Sequence, residues 1–276
     1  MMRNIDAKVV TDFGIEWSRF DQSAVSLEEL QKSFDAYFSV FPWEHLRDNA
    51  KGFDLGCGSG RWAKLMVPRV AELHCIDPSE EALGVAMKNL AEYSNCQFHL
   101  ASVDNIPLPD DSMDFGYSLG VLHHVPNTDE AIRSCVAKLK SSAPLLLYLY
   151  YALDNKPLWF KSIWKISDII RRVLSRSPFP IKYMASQVIA AFIYYPMAKL
   201  ARLVEGRGRK VDNLPLSGYR DKSFYTMRTD ALDRFGTRLE QRFTRKQMEE
   251  MMSAAGLIKI QFSERFPYWC AVGYKA

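Results

Sequence analysis

An α/β fold, a mostly parallel sheet with helices on both faces, is what this sequence predicts, on three observations. Short apolar runs near 52–56, 71–77, 97–101, 114–119 and 143–150 alternate with helical patterns near 60–67, 79–93 and 128–140. Such alternation is the signature of strand–helix–strand units. The first run, Phe53-Asp54-Leu55, passes straight into Gly56-Cys57-Gly58-Ser59-Gly60 and then a helical pattern at Trp62, Leu65 and Met66. Strand, glycine turn and helix therefore follow one another. The chain has 276 residues, 48% of them hydrophobic, enough for one large core with an elaboration.

Residues 1–48 read as a helical cap ahead of this core. Ser26-Leu27-Glu28-Glu29 is a capping box, with Val25 and Leu30 placed as its hydrophobic staple. Leu27, Leu30, Phe34, Tyr37 or Phe38, and Phe41 then keep helical spacing until Pro42. Upstream, Phe13-Gly14-Ile15-Glu16-Trp17-Ser18-Arg19-Phe20 mixes aromatic and charged residues. Within the core, the second strand ends at Asp77, and Pro78-Ser79-Glu80-Glu81 starts a helix. Asn127 caps the helix near 128–140, with Glu130 at its third position.

The alternation stops after the fifth strand, and residues 151–242 read as a helical insertion. Trp159, Phe160, Ile163, Ile166, Ile170, Val173 and Leu174 share one helical face, opposite Lys161, Lys165, Asp168, Arg171 and Arg172. The apolar face is expected to pack on the core, making the insertion a lid. Ser177-Pro178-Phe179-Pro180 stops that helix, and a more apolar one runs from Ala185 to Tyr195, interrupted by Pro196. A basic Gly206-Arg207-Gly208-Arg209-Lys210 follows. The core, 49–150, resumes over 243–276. Thr244-Arg245-Lys246-Gln247 is a capping box with Phe243 and Met248 as staple. Met248, Met251, Met252 and Ala255 form the buried stripe, and Gly256 closes the helix. Strands near 257–263 and 268–274 complete the sheet.

The glycine turn limits the ligand. Three alternating glycines let the backbone adopt unusual dihedrals and let a ligand approach the main chain. A dinucleotide fingerprint is excluded, because its third glycine position falls on Arg61. A phosphate loop is excluded because no Gly-Lys-Ser/Thr follows. Asp54, ahead of the turn, offers an acceptor where a phosphate would want donors. These features suit a ligand with a cationic amino-acid end and an adenosine end.

Four ordered segments carry a family resemblance: the Asp54–Gly60 turn; the strand ending at Asp77; Ile106-Pro107-Leu108-Pro109-Asp110-Asp111-Ser112-Met113-Asp114-Phe115; and Ser118-Leu119-Gly120-Val121-Leu122-His123-His124-Val125-Pro126. Together they resemble the class I S-adenosylmethionine-dependent methyltransferases, in particular the methyltransferase type 11 or ubiquinone–menaquinone methyltransferase-like group. The resemblance covers roughly residues 50–150 and 243–275. It implies a Rossmann-like seven-stranded sheet with an antiparallel last strand, N-terminal elements that lid the cofactor, and S-adenosyl-L-methionine as that cofactor. Its implied cofactor-binding residues are Asp54, Gly56, Cys57, Gly58, Gly60, Asp77, Pro78, Ser102, Val103, Ser118, Leu119 and His123. Asp77, seventeen residues past Gly60, suits the ribose hydroxyls; a simple helix N-cap is the alternative role. One departure stands out: Ala101-Ser102-Val103 replaces the family's Gly-Asp-Ala, so Ser102 or the Val103 backbone would have to meet the adenine, with Asp104 two residues on.

Candidate catalytic groups are His124, because histidine is a residue type suited to general-base work, and Tyr225. Tyr225 lies with Arg228 and Asp230 in a polar run, Ser223–Asp230, that reads either as an acceptor contact or as a re-entry loop. The reading is methyl transfer to a small-molecule acceptor. Oxygen is favoured, on a sugar or another hydroxylated, phosphate-bearing metabolite. A quinone-like or prenylated acceptor at a membrane surface is the alternative, as is a non-catalytic cofactor-binding protein.

Composition bounds the rest. The N-terminus has no signal-type apolar segment and the chain no run of eighteen apolar residues. Five cysteines without a C-x-x-C pair suggest neither disulfide framework nor metal site, so a cytoplasmic setting is expected. Net charge is +4, yet residues 151–210 hold twelve Lys/Arg and three Asp/Glu, a balance of +9. An acidic partner should therefore meet the insertion. An anionic membrane surface suits such a basic amphipathic segment; nucleic acid does not, because no nucleic-acid module accompanies it.

Overall fold

The computed structural model of the protein describes residues 4–211 and 213–276, so the first three residues of the expected cap lie outside the described residues. Seven strands form one sheet: β1 (Lys51–Leu55), β2 (Glu72–Asp77), β3 (Cys96–Leu100), β4 (Phe115–Leu119), β5 (Pro144–Tyr148), β6 (Leu257–Phe262) and β7 (Cys270–Lys275). Their order is β3-β2-β1-β4-β5-β7-β6. β7 runs antiparallel to both neighbours and the remaining pairs are parallel. Winding proceeds one way from β1 to β3 and the other way from β4, so the β1–β4 junction is the switch point where such sheets open a crevice.

Two compact units divide the chain: residues 1–22, 30–152 and 239–276, and residues 23–29 with 153–238. The first unit holds the sheet with α1 (Ala7–Arg19), α3 (Ala63–Met66), α4 (Glu80–Asn89), α5 (Thr128–Lys138) and α10 (Arg245–Ala254). The helix α2 (Leu27–Tyr37) begins where Ser26 Oγ accepts the Glu29 N–H at 3.2 Å. At α10, the Thr244–Gln247 capping box forms as expected, and Met248, Met251 and Met252 are buried. Two departures concern helices here. The aromatic stretch 13–20 is the end of α1, started by an Asp6 cap that accepts from Lys8 and Val9 N–H. The helix expected over 60–67 is only Ala63–Met66, because Pro68 tightens its continuation into a 3₁₀ turn over Val67–Arg69.

In the second unit, α6 (Leu158–Leu174) turns opposite to expectation. Ile166 is 63% exposed, whereas Asp168 and Arg171 are 5% and 6% exposed. Arg171 Nε donates to Asp168 Oδ1 at 2.7 Å, and its Nη1 donates to the Thr237 carbonyl at 3.1 Å. Burial works against the Asp168 charge, but Arg171, Arg234 and Arg172 more than offset it and hold the carboxyl below its ordinary value. A satisfied ion pair outweighs the apolar pattern for the inward face, because removing one partner would strand a buried charge. The prolines also act differently. Pro180 sits in the first turn of α7 (Phe179–Ile189), which begins before the expected Ala185. Pro196 does not interrupt the helix either: a π turn over Ala190–Tyr194 leads into α8 (Tyr195–Glu205), whose first turn holds the proline and needs no N–H there. Ser223–Asp230 is no loop. Ser223 caps α9 (Phe224–Gly236), and Arg228 on it bonds the Gln187 side chain and, at 3.1 Å, the Tyr183 hydroxyl.

Close approach of β1 and β4 depends on two exchanged positions. Gly52 pairs with Phe115 and Phe53 with Gly116. A Cβ on Gly52 would lie 2.2 Å from Phe115 Cζ, and one on Gly116 would lie 2.3 Å from Phe53 Cζ. Each glycine makes room for the other strand's ring. Gly116→Ala should therefore cost about 1–3 kcal/mol, measured by guanidinium denaturation; an unchanged midpoint would show that the rings shift freely.

Candidate functional site

At the carboxyl end of β1 the chain turns through three left-handed glycines: Gly56, Gly58 and Gly60 have φ of +76°, +54° and +75°. Each is also sterically obliged. A Cβ would meet Val121 Cγ2 at 2.4 Å, Trp17 Nε1 at 2.9 Å and Leu90 Cδ1 at 3.0 Å, respectively. The Gly56 and Cys57 N–H groups both donate to the Ile76 carbonyl, at 2.7 and 3.1 Å, and tie the turn to β2.

Asp77 closes this arrangement. Its Oδ2 accepts the Gly58 N–H and its Oδ1 the Ser79 N–H, both at 2.9 Å. Asp77 is not the helix cap: Ser79 is, its Oγ accepting the Ala82 N–H at 3.3 Å. Burial pushes the Asp77 carboxyl up to about 6, against the opposing effect of the two N–H donors. Each oxygen keeps a second lone pair for a ligand hydroxyl.

Asp54 is more extreme. It is 1% exposed, and its Oδ2 has no hydrogen-bond partner among the described residues. Burial pushes its carboxyl up to about 8; the Tyr117 hydroxyl on β4 works against this and Asp77 adds to it. Asp54 and Tyr117 are register partners across the switch point. A buried carboxyl with an unsatisfied oxygen is costly unless a cation or donor reaches it.

The remaining expected residues are placed as follows. The Cys57 thiol is buried, 4.0 Å from the Gly58 carbonyl oxygen. Pro78 is half-buried between Asp77 and Ser79. Ser102 Oγ donates to Asp104, whose other oxygen accepts the Asn4 N–H at 3.3 Å; Val103 is buried. Ser118 donates its hydroxyl to the Leu55 carbonyl at 2.9 Å, a strand-to-strand tie, and Leu119 ends β4, buried. His123 is fully buried and stacks on Tyr150 at 3.8 Å; burial, with His124 and Arg242, holds it well below its ordinary value. His124 Nδ1 lies 2.6 Å from the Leu239 carbonyl. That bond selects the Nδ1–H tautomer, so Nε2 carries the lone pair. Tyr225 lies in α9 of the second unit, outside the unit that holds all the others.

The resemblance made N-terminal elements a lid; the individual contacts by which they cover the turn were not legible in the sequence. Gly14 lets α1 approach α4, where a Cβ would lie 2.5 Å from Ser79 Oγ. Trp17 then sits over Gly58, and the Arg61 guanidinium lies 5.3 Å from the Trp17 ring. Asn4 fastens the strap, donating to the Asn127 carbonyl and accepting the Asn127 N–H, both at 2.8 Å. The Asp6 cap and the spacing of Val9, Phe13 and Trp17 could have revealed this helix; Tyr117 was readable as the β4 partner of Asp54.

The two raised carboxyls set a pH dependence. A carboxyl that binds its proton more tightly when folded loses stability as pH rises from its unfolded value through its folded one. Asp77 completes this near pH 6, and neutral buried His123 acts only below about 6.5, its ordinary value. Asp54 therefore dominates between pH 7 and 8. Wild-type stability should fall by about 1 kcal/mol over that unit, and Asp54→Asn should flatten the fall. An equal slope in the variant would place the titration elsewhere.

Comparison with known proteins agrees with this geometry. Residues 53–147 match the family model described as a methyltransferase domain. An uncharacterized methyltransferase, YcgJ of Bacillus subtilis (strain 168), is 30% identical over 107 residues, 38% of this chain and 42% of that protein. A ubiquinone biosynthesis O-methyltransferase of Azoarcus sp. (strain BH72) is 34% identical over 92 residues, 33% of this chain and 40% of that protein. The matches thus span under half the length of these two relatives. Among solved structures, a chain of the complex between the Haloferax volcanii Trm112 methyltransferase activator and a methyltransferase superposes with a TM-score of 0.53, at 12% identity and 99% coverage of both chains. The [4+2]-cyclase SpnF superposes at 0.50 and 14% identity, covering 90% of this chain and 66% of its own. Likeness this distant shows the fold, and the fold hosts more than one reaction. The motifs and the glycine turn agree with the matched model: residues 53–147 of this chain match a methyltransferase domain.

Proposed function

We propose that this protein transfers a methyl group from S-adenosylmethionine to a hydroxyl oxygen of a small-molecule acceptor. The observation that carries this reading is the pair of buried carboxyls on either side of the glycine turn, one with an orphaned oxygen and one with lone pairs to spare. Asp54 would face the α-ammonium of the cofactor, the Gly56–Gly60 backbone would lie along its methionine moiety, and Asp77 would accept the ribose hydroxyls. Ser102 and the Val103 backbone would meet the adenine. Cys57, Pro78, Ser118, Leu119 and His123 shape the walls.

The bound cofactor supplies an activated methyl on a sulfonium, so the chain's task is positioning. His124 is the candidate base for the acceptor hydroxyl: Leu239 holds its Nδ1–H, which turns the lone pair on Nε2 to the task. Tyr225 is the other candidate. Residues 153–238 are assigned to acceptor recognition, and their positive balance favours an acceptor, a sugar or another hydroxylated metabolite, that carries phosphate or another anionic group. Oxygen as the methylated atom agrees with the named activity of the ubiquinone biosynthesis relatives. A non-catalytic cofactor-binding protein would bind the cofactor and release no methylated product.

Two measurements test this. Asp77→Asn should weaken S-adenosylmethionine binding about ten- to a hundredfold by calorimetry, as expected for a charge-assisted bond; native affinity would remove Asp77 from the site. His124→Gln should leave that affinity intact and lower the transfer of labelled methyl into a metabolite extract about a hundredfold. Undiminished transfer would exclude His124 as the base, and absent transfer by the wild type would favour the non-catalytic reading.

A further inference from the structure

Many of the second unit's large aliphatic residues lie outside. One buried cluster of the unit comprises Ala190, Tyr194, Ala198, Met227, Ala231 and Phe235, and Leu153, Val211 and Leu232 are buried as well. Along α6, by contrast, Trp159, Ile163, Ile166, Ile170 and Val173 recur at helical spacing and are 47–66% exposed, with Ile169 beside them at 63%. Met184, Phe192 and Leu203 of the following helical run are 70%, 76% and 55% exposed. The inward side of α6 is fixed by the Asp168–Arg171 pair, so the helix cannot rotate its apolar strip inward without stranding that pair.

Cations frame this surface. Lys165 and Arg172, seven residues apart, run along one edge of the α6 strip, and both are exposed. At the end of α8, Lys199, Arg202 and Arg207 line a shallow hollow of about 480 Å³ with Leu203 and Gly206. No helix among the described residues is long and apolar enough to cross a membrane. An amphipathic helix with an apolar strip and a basic edge suits the interface plane of a membrane.

We propose that the exposed apolar strip of α6 docks on an anionic lipid surface, entering the acyl boundary while exposed cations of the second unit meet headgroup phosphates. A second copy of the chain is a poorer occupant, because it would set two segments of +9 balance against each other. The inference stands on the second unit's surface and needs no cofactor, so its failure leaves the methyltransferase reading intact.

Sedimentation with vesicles tests it, using phosphatidylcholine alone and phosphatidylcholine mixed with phosphatidylglycerol. The wild type should partition onto the mixed vesicles, and added salt should release it. Ile166→Asp with Ile169→Asp should keep the wild-type melting temperature and lower partition about tenfold or more. Lys165→Gln, Lys199→Gln and Arg207→Gln should each weaken binding to the mixed vesicles about fivefold. Three results would overturn the proposal: no partition of the wild type; a double variant that fails to fold, which would place the strip inside; or a wild-type dimer by light scattering that the double variant dissolves while vesicles remain unbound.

Discussion

One hydrogen bond, from the Gly58 N–H to Asp77, organises the site. It joins the turn after β1 to the end of β2, and the same carboxylate reaches Ser79, the cap of α4. The position of α4 in turn fixes α1, because Gly14 rests against Ser79. Gly58 must be left-handed and bare for its N–H to point at Asp77 while Trp17 passes over it. A side chain at Gly58 would therefore disturb the cover as well as the turn. Strand, turn, helix cap and N-terminal strap are mechanically one unit.

Electrostatics give that unit its selectivity. Two carboxyls are buried near the switch point with backbone donors and a tyrosine hydroxyl as their main offsets, and burial raises both. Such a site disfavours anionic ligands and favours one that brings a cation and hydroxyls together, as the cofactor does. A phosphate-led nucleotide suits such a site poorly, because a phosphate needs donors where this chain has acceptors.

Much of this was legible in the sequence because local chemistry and tertiary role coincide there. Glycines that need positive φ, an acid at a strand end, and the Asn127 and Thr244 caps each act within a few residues of where they are written. The seven strands fell within about two residues of their expected bounds at most ends, as patterns of buried runs allow. The failures have a common cause: partners distant in sequence. α6 reads as a helix with its apolar face inward, but Asp168 and Arg171 find Thr237 and Arg234 in α9 and its end, and that pairing reverses the helix. Pro196 reads as a break because a π turn cannot be foreseen from composition. Trp17 reads as one aromatic among several because its partner, a bare glycine, lies more than forty residues on.

The account's central claim is that the turn and its two carboxyls receive the cofactor, and a crystal structure with S-adenosylhomocysteine tests it most directly. The ribose hydroxyls should lie on Asp77, the homocysteine chain along Gly56–Gly60 and its ammonium toward Asp54 Oδ2, beneath Trp17. A ligand seated elsewhere, with Asp77 keeping only its backbone partners and Asp54 still unpaired, would contradict it.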